Sequence, residues 1–178
     1  DRVFAAKGSG TVGTGTLVGG SLQTDQLVTI EPGGHSARIR TIQTAGNSVK
    51  RIGAGNRVAV NLAGVDHTDV KRGDAVIEPG RWRLTERFDA SLRVLDALDH
   101  DVSRRGAYVA YLGSGEHAVK LRVLGAQELG PGTTGAVRLF LPCALPLLPG
   151  DRFVLRESGR DETVGGGEVL DIDPVLRA

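Results

Sequence analysis

The sequence predicts an all-β protein that consists of two consecutive small β-barrels. Runs rich in Val, Ile, Thr and Leu recur about every ten residues and are bounded by Gly, Asp, Asn or Pro, as in small barrels and sandwiches. Polar and apolar residues alternate over 89–94 and 119–123, as half-buried strands require. A Gly-Asp turn precedes a late run in each half, in KRGDAV (71–76) and LPGDRF (148–153). The shared turn indicates two units of the same kind.

The first unit is predicted to occupy residues 1–80. Its strands are expected at 2–7, 11–18, 26–31, 37–44, 57–62 and 74–78. A short helical segment is expected near 66–71. The sequence PGRWR, from Pro79 to Arg83, then breaks the strand pattern, so residues 81–85 are predicted to be a linker.

The second unit is predicted to occupy residues 86–178. Its strands are expected at 87–95, 107–112, 117–124, 135–142, 152–157 and 168–172. Lys120 and Arg122 alternate with apolar neighbours, which indicates one buried and one solvated face.

The composition excludes several classes of protein. Lys and Arg number 22 and Asp and Glu number 21, for a net charge of +1, so any contact with nucleic acid must be local. The single cysteine, Cys143, allows no internal disulfide and fits a reducing compartment. No apolar run reaches the length of a transmembrane helix, and no signal peptide opens the chain. Because the sequence has no methionine and begins at Asp1, we expect a segment of a longer protein.

The run GSGTVG at residues 8–13 has the spacing of a dinucleotide-binding loop. Such a loop must lead into a helix, whereas glycine and β-branched residues follow here. Thr16 also stands where a phosphate loop has its lysine. We therefore predict a glycine-rich strand that bends within a barrel, and no cofactor site.

Neither a metal site nor catalytic residues are predicted. No two of the four histidines are four residues apart, and one cysteine cannot build a thiolate zinc site. His100, Asp101 and Ser103 could be read as a hydrolase triad, but no nucleophile elbow is visible. Cys143, between Pro142 and Ala144, is expected to be a small packed side chain.

Basic residues cluster around the predicted linker. Arg81, Arg83 and Arg87 accompany Trp82 and could bind phosphate or stack on a base. The favoured interpretation is a solvated linker, because most short charge runs are simply solvated.

Several motifs together resemble the second and third domains of translational GTPases of the elongation factor Tu class. The opening DRVF and the run KGSGTVGTGTL (7–17) are similar to the start of the second domain, and GAGNRVAVNLAG (53–64) and DVKRGD (69–74) to its later parts. The segments LLPGD (147–151), FVLRESGR (153–160) and TVGGG (163–167) resemble the third domain. The order is preserved over nearly the whole chain. Gly13 departs from the usual valine, and Thr24-Asp25 from the usual Gly-Asp turn.

Within this class, the pair Asp1-Arg2 and the residue Arg57 resemble the selenocysteine-specific elongation factors, since general elongation factors typically have asparagine at the position of Arg57. The resemblance implies an aminoacyl pocket formed by Asp1, Arg2, Phe4, Thr14 and Arg57. An arginine suits this role because selenocysteine is anionic at neutral pH, whereas a seryl group is neutral. Alternatively, Arg2 and Arg57 only pair with carboxylates on the barrel surface.

The resemblance also implies a function. It predicts binding of selenocysteinyl-tRNA for GTP-dependent delivery to the ribosome at recoded UGA codons, with Arg156, Gly159 and Arg160 contacting the tRNA backbone. This chain lacks the phosphate loop and the Asn-Lys-x-Asp motif, so no enzymatic activity or cofactor is expected of it. GTP and Mg are expected in a separate GTPase domain, and a C-terminal winged-helix region is expected to bind the messenger RNA hairpin. The resemblance further implies a cytoplasmic monomer with no membrane contact.

Two alternatives remain open at this point. The chain could belong to another translational GTPase, such as an elongation factor Tu-like or initiation factor-like protein, although Asp1, Arg2 and Arg57 argue against this. It could also be an autonomous β-barrel binding module without a tRNA role.

Overall fold

The chain divides into two compact units of β structure. The structure is a computed structural model that describes residues 1–6 and 10–175. Every regular element in these ranges is a β-strand, which confirms the all-β prediction. The two units are Asp1–Trp82 and Arg83–Ala178, so the division falls inside the predicted 81–85 linker. Lys7 and the first two residues of the GSGTVG run lie outside the described residues. No helix in the described ranges is long and apolar enough to cross a membrane.

The first unit is an antiparallel sheet with a buried apolar face. Its strands are β1 (Arg2–Ala6), β2 (Gly10–Leu17), β3 (Ser21–Gln23), β4 (Leu27–Glu31), β5 (His35–Thr44), β6 (Asn47–Val49), β7 (Arg51–Gly53), β8 (Asn56–Ala63) and β9 (Ala75–Ile77). The main sheet has the order β1-β2-β8-β5-β4-β9, β6 pairs with β5, and β3 and β7 form a small separate sheet.

An irregularity in β5 decides which of its side chains are buried. Ala37 and Ile39 point into the core with the spacing of two that a strand requires, yet the next fully buried residue is Ile42. The pairing of β5 with β8 shifts register between Ile39 and Thr41. This shift adds one residue, as a β-bulge does, and returns Ile42 to the core face.

The predicted helix at 66–71 is wrong. The segment forms a turn in which Asp66 Oδ1 accepts hydrogen bonds from the backbone N–H of Thr68 at 2.9 Å and from its hydroxyl at 2.8 Å. An aspartate that bonds the backbone two residues ahead stabilises a turn in competition with a helix.

The second unit is a closed six-stranded barrel with the order β10-β15-β13-β12-β16-β17. Its strands are β10 (Thr85–Val94), β11 (Val102–Ser103), β12 (Tyr108–Leu112), β13 (Gly115–Val123), β14 (Glu128–Leu129), β15 (Thr134–Leu145), β16 (Arg152–Glu157) and β17 (Glu162–Asp171). β11 and β14 pair outside the barrel. The rings of Phe88 and Phe153 meet edge to face in the core, with centroids 6.0 Å apart.

Two strands of the barrel are longer than predicted. β17 begins at Glu162 and includes Gly165–Gly167, where the sequence predicted a strand only from residue 168. β15 continues through Pro142 to Leu145. Pro142 is tolerated because it lies where the pairing with β10 is irregular, between the pairs Arg87–Phe140 and Thr85–Leu145.

The two Gly-Asp turns have the same hydrogen bonds in both units. The Asp74 carboxylate accepts from the Lys71 N–H at 2.7 Å, and the Asp74 N–H donates to the Lys71 carbonyl at 3.2 Å. In the second unit, Asp151 makes the equivalent bonds with Leu148 at 2.8 and 3.1 Å. The preceding glycines have φ of 101° and 95°, a conformation that favours glycine. The Gly-Asp turn predicted from the sequence is thus present in both units.

The barrel has a buried phenol whose titration should affect stability. Tyr108 is 3% exposed, and its hydroxyl oxygen accepts a hydrogen bond from the Ser103 N–H at 3.1 Å. Burial raises the pKa of Tyr108 above its ordinary value of about 10. Because the folded pKa is the higher one, this stabilisation is complete below about pH 10 and is lost as the pH rises through the folded pKa.

We expect Tyr108→Phe to remove this alkaline loss of stability. At pH 7 the substitution should lower the free energy of unfolding by about 1–2 kcal/mol, because the Ser103 N–H loses its acceptor. Denaturant unfolding between neutral and strongly alkaline pH measures both effects. Tyr111→Phe, on the same strand but only partly buried, is the control and should keep the alkaline loss. If the free energy of unfolding fell equally with alkaline pH in the wild type and in Tyr108→Phe, the prediction would be wrong.

Candidate functional site

A small open cleft with a mixed polar and apolar lining lies on the first unit, where β2, β5 and β8 are adjacent. Its volume is about 220 Å³, which is below the roughly 300–1,000 Å³ of pockets for drug-sized ligands. The lining residues are Thr14, Gln43, Thr44, Ala45, Gly46, Arg57, Val58 and Ala59. A cleft of this size suits a group of a few heavy atoms, such as one amino-acid side chain.

The strand registers place these residues around Ala59. Thr14 of β2 and Gln43 of β5 both pair with Ala59, which lies between them on β8. Directly paired residues present their side chains on the same face of a sheet. The small side chain of Ala59 therefore leaves space between the Thr14 hydroxyl and the Gln43 amide.

The turn after β5 forms a further part of the cleft lining. Ala45 and Gly46 have φ of 45° and 80°, and together they connect β5 to β6. The left-handed conformation is unusual for alanine and is found often at functional sites. The Thr44 hydroxyl donates to the Arg57 carbonyl at 2.9 Å, which ties this turn to β8.

Arg57 provides the positive charge of the cleft, and Asp1 provides a negative charge beside it. Arg57 Nη1 pairs with Asp1 Oδ2, and the two side chains are 64% and 36% exposed. The backbone nitrogen of Asp1 donates to the Thr14 carbonyl at 2.8 Å, which holds Asp1 next to β2. An exposed ion pair contributes only about 0–1 kcal/mol. A ligand can therefore displace either partner at little cost.

Arg2 and Phe4 lie beside the cleft on β1 and do not line it. Arg2 pairs with Thr14, whose hydroxyl is 3.5 Å from the Arg2 carbonyl. Phe4 pairs with Val12 and is 46% exposed. The structure thus brings Asp1, Thr14 and Arg57 together, and it places Arg2 and Phe4 on the adjoining strand.

Sequence reasoning missed the contribution of β5. Gln43, Thr44 and Ala45 line the cleft, although no motif marks them. The available signal was Gly46-Asn47, a turn-forming pair directly after a predicted strand.

The three predicted tRNA-contacting residues lie at the hairpin that joins β16 to β17. Arg156 Nη2 donates to the carbonyl and to Oδ1 of Asp161, each at 2.8 Å. Arg160 is 52% exposed and lies 3.6 Å from Asp99 and 3.9 Å from Glu157. A Cβ at Gly159 would have no neighbour within 4 Å, so the hairpin backbone is open on this side.

His100 does not form the triad that its sequence neighbours suggested. Its Nδ1 lies 3.0 Å from Asp99 and its Nε2 lies 2.9 Å from Glu157. Both ring nitrogens therefore face carboxylates, while Ser103 Oγ accepts from the Arg105 N–H at 3.4 Å. The hydrogen bond to Asp99 raises the pKa of His100.

The basic residues near the linker have carboxylate partners within their own units. Arg81 lies 3.6 Å from Glu78, and Arg83 lies 2.5 Å from Asp173. These exposed pairs agree with the solvated interpretation.

Comparison with known proteins shows similarity to elongation factors over nearly the whole chain. Residues 90–175 match the family described as selenocysteine-specific elongation factor, beta-barrel domain. The chain is 33% identical to the selenocysteine-specific elongation factor of Desulfomicrobium baculatum, over 96% of this chain and 27% of that protein. It is 30% identical to the one from Haemophilus influenzae, over 99% of this chain and 28% of that protein.

One further relative and one solved structure are also elongation factors. Elongation factor Tu 2 of Streptomyces avermitilis is 30% identical, over 97% of this chain and 45% of that protein. A crystal structure of a bacterial selenocysteine-specific elongation factor, EF-Sec, superimposes with a TM-score of 0.76 and 28% identity, covering 95% of this chain and 26% of that one. The chain thus spans between a quarter and a half of the proteins it matches. In its fold, its barrel-domain match and these relatives, the chain is similar to the selenocysteine-specific elongation factors.

Proposed function

We propose that this chain binds the aminoacyl end of selenocysteinyl-tRNA, for GTP-dependent delivery to the ribosome at recoded UGA codons. In the longer protein, a GTPase domain that holds GTP and Mg would gate release, and a C-terminal winged-helix region would bind the messenger RNA hairpin. The relatives named above support this role. The chain itself would contribute binding and no catalysis, in a monomeric protein of the cytoplasm.

The observation that carries the proposal is Arg57 in a cleft of amino-acid size. Selenols are more acidic than thiols, so the selenocysteinyl side chain carries a negative charge at neutral pH. A guanidinium donates charge-assisted hydrogen bonds to such an anion, whereas a seryl hydroxyl gains much less from it. Asp1 can then accept from the α-amino group of the ester. The cleft thus offers one cation and one anion to a ligand that carries both charges.

Arg2 and Phe4 would complete the pocket from β1. Both are exposed and adjoin the cleft on the strand paired with β2, so a bound aminoacyl-adenosine end could lie against them. The exposed ring of Phe4 offers an apolar surface. Arg2 and Phe4 are assigned to the pocket because β1 pairs with β2, which contributes Thr14 to the cleft.

The hairpin residues Arg156, Gly159 and Arg160 would contact the tRNA backbone. The Arg156 guanidinium donates to the carbonyl and carboxylate of Asp161, and the Arg160 guanidinium lies 3.6 Å from Asp99. A phosphate would compete for the same two guanidinium groups. Contacts of this kind position the RNA and do not discriminate between aminoacyl groups.

Arg57→Ala should abolish the preference for selenocysteinyl-tRNA over seryl-tRNA. Since a hydrogen bond to a charged group contributes about 1.5–3 kcal/mol, the affinity for selenocysteinyl-tRNA should fall by about 10- to 150-fold. Seryl-tRNA binding should change little. The measurement is the dissociation constant of each charged tRNA with the full-length protein in its GTP form.

Arg160→Ala is the contrasting variant in the same experiment. It removes a surface arginine at the other proposed contact, so it should weaken both tRNAs equally and leave the preference intact. An Arg57→Ala protein that still prefers selenocysteinyl-tRNA to the wild-type degree would refute the role of Arg57.

A further inference from the structure

Three side chains with metal-ligating atoms converge on the second unit, whereas the cleft belongs to the first. His100 lies between β10 and β11, Glu157 ends β16, and Glu162 begins β17. His100 Nε2 is 2.9 Å from Glu157 Oε2 and 3.6 Å from Glu162 Oε1. One ligand atom from each residue lies within 4.8 Å of the others.

These separations fit one small metal ion. Zinc binds imidazole nitrogen and carboxylate oxygen at about 2.0–2.2 Å, which places two ligands of a tetrahedral ion about 3.3–3.6 Å apart. The distances of 2.9 and 3.6 Å lie close to this range. Small side-chain rotations are therefore enough to coordinate a zinc ion.

The pairing of β16 with β17 places two like charges opposite each other. Glu157 and Glu162 are direct partners in the register, and like charges in this position destabilise a sheet. Their side chains are 14% and 37% exposed, and that of His100 is 16% exposed. A divalent cation between the two carboxylates would neutralise both charges in a poorly solvated location.

The outer contacts of His100 also match those of a metal ligand. Asp99 Oδ1 lies 3.0 Å from His100 Nδ1. A metal-binding histidine usually donates its second ring N–H to a carboxylate, which fixes the tautomer and directs the free lone pair at the metal. Without an ion, the 2.9 Å contact with Glu157 places a proton on Nε2. A metal ion would replace that proton, and the contact with Asp99 would keep the remaining proton on Nδ1.

One group competes with a bound cation. Arg160 lies 3.9 Å from Glu157 and 3.6 Å from Asp99, and its side chain is 52% exposed. A long exposed side chain can turn into solvent when a divalent ion replaces its charge. Arg160 therefore lowers the affinity for a cation without blocking the site.

We propose that His100, Glu157 and Glu162 form a binding site for a divalent transition metal, with zinc as the best fit. One nitrogen and two carboxylate oxygens suit zinc and its neighbours in the first transition row. The fourth position is open to water. A bound ion would fasten the segment before β11 to the β16–β17 hairpin. The site is separate from the aminoacyl cleft, but it shares the β16–β17 hairpin and the neighbouring Arg160 with the tRNA-backbone contact proposed above.

Zinc titration of the full chain, freed of metal by a chelator, tests the site. We expect one zinc ion to bind and to raise the unfolding temperature of the second unit. His100→Gln and Glu162→Gln should each raise the dissociation constant at least about tenfold. Glu162 is partly exposed at the start of its strand, so Glu162→Gln should fold normally. It therefore tests the site even if His100→Gln folds poorly. Cobalt as a substitute should give the visible absorption of a four-coordinate ion.

Two control variants separate this site from other zinc ligands. His67 lies 3.1 Å from Asp66 on the surface of the first unit, so His67→Gln removes a histidine–carboxylate pair outside the site. Cys143→Ser removes the only thiol. Neither variant should change zinc affinity. Absence of saturable binding, or binding that either His100→Gln or Glu162→Gln leaves unchanged, would overturn the proposal.

Discussion

Replacing Gly167 by alanine should destabilise the second unit by about 3 kcal/mol or more, at the upper end of the cost of overpacking. A Cβ at this position would lie 1.8 Å from the Ser91 carbonyl oxygen and 3.0 Å from the Phe153 ring. The close neighbour is backbone of β10, so no side-chain rotation relieves the clash. The strands must separate or β17 must shift, and either change breaks hydrogen bonds that close the barrel.

Calorimetric unfolding of the chain measures this effect. For a unit of this size, a loss of about 3 kcal/mol lowers the transition temperature by roughly 12–24 °C. Gly159→Ala is the matched control in the same unit, because its added methyl group would have no neighbour within 4 Å. It should leave the transition nearly unchanged. A drop of less than about 1 kcal/mol for Gly167→Ala would show that the barrel can expand at this seam.

Gly167 and the two glycines before it show a limit of structure prediction from the sequence. Strand propensity depends on side chains that pack, and Gly165–Gly167 have none, so the predicted strand begins only at residue 168, whereas β17 begins at Glu162. In the barrel, a Cβ at Gly165 would lie 2.3 Å from the Arg93 carbonyl oxygen. The glycines are therefore part of the strand because the neighbouring backbone comes close. Such a contact forms only when the barrel closes, and the local sequence does not reveal it.

Only some of the residues at the cleft can be identified from the sequence, because the others reach it through long-range strand pairing. Asp1, Thr14 and Arg57 lie in motifs that resemble a known family, and the structure brings them together. Gln43 enters the cleft only through the register of β5 on β8, and that register depends on the irregularity between Ile39 and Thr41. A one-residue slip would turn its side chain to the other face.

Long-range contacts also explain why the sequence does not indicate the zinc site proposed above. The spacing of histidines along the sequence indicates only ligands that lie on one local element. His100 and Glu157 are 57 residues apart, and Glu162 follows the next turn. Their approach requires the closed barrel, which places the β16–β17 hairpin beside the segment before β11. By contrast, the Gly-Asp turns depend on four consecutive residues, and these were predicted in both units.

Removing the carboxylate of Asp89 should cost the second unit about 2–4 kcal/mol. Asp89 and Arg138 are direct partners on β10 and β15, joined by two hydrogen bonds of 2.6 and 2.9 Å. Their side chains are only 22% and 12% exposed. The hydrogen bonds that Arg138 donates to Asp89 raise the pKa of Arg138, so the guanidinium stays charged. In Asp89→Ala this poorly solvated charge keeps only the Val175 carbonyl at 3.3 Å and the more distant charge of Asp171. A buried charge that loses its main partner is strongly destabilising.

Adding Arg138→Ala to Asp89→Ala tests whether the unpaired charge of Arg138 causes the loss of stability. Asp89→Ala combined with Arg138→Ala removes both charges, so the double variant should be more stable than Asp89→Ala alone. Asp96→Ala breaks the exposed pair with Arg93, which lies at 3.2 Å with side chains 78% and 58% exposed, and it should cost less than about 0.5 kcal/mol. Urea unfolding of the four proteins compares these effects. Equal losses for Asp89→Ala and Asp96→Ala would mean that solvent already screens the Asp89–Arg138 pair, and that the barrel does not depend on it.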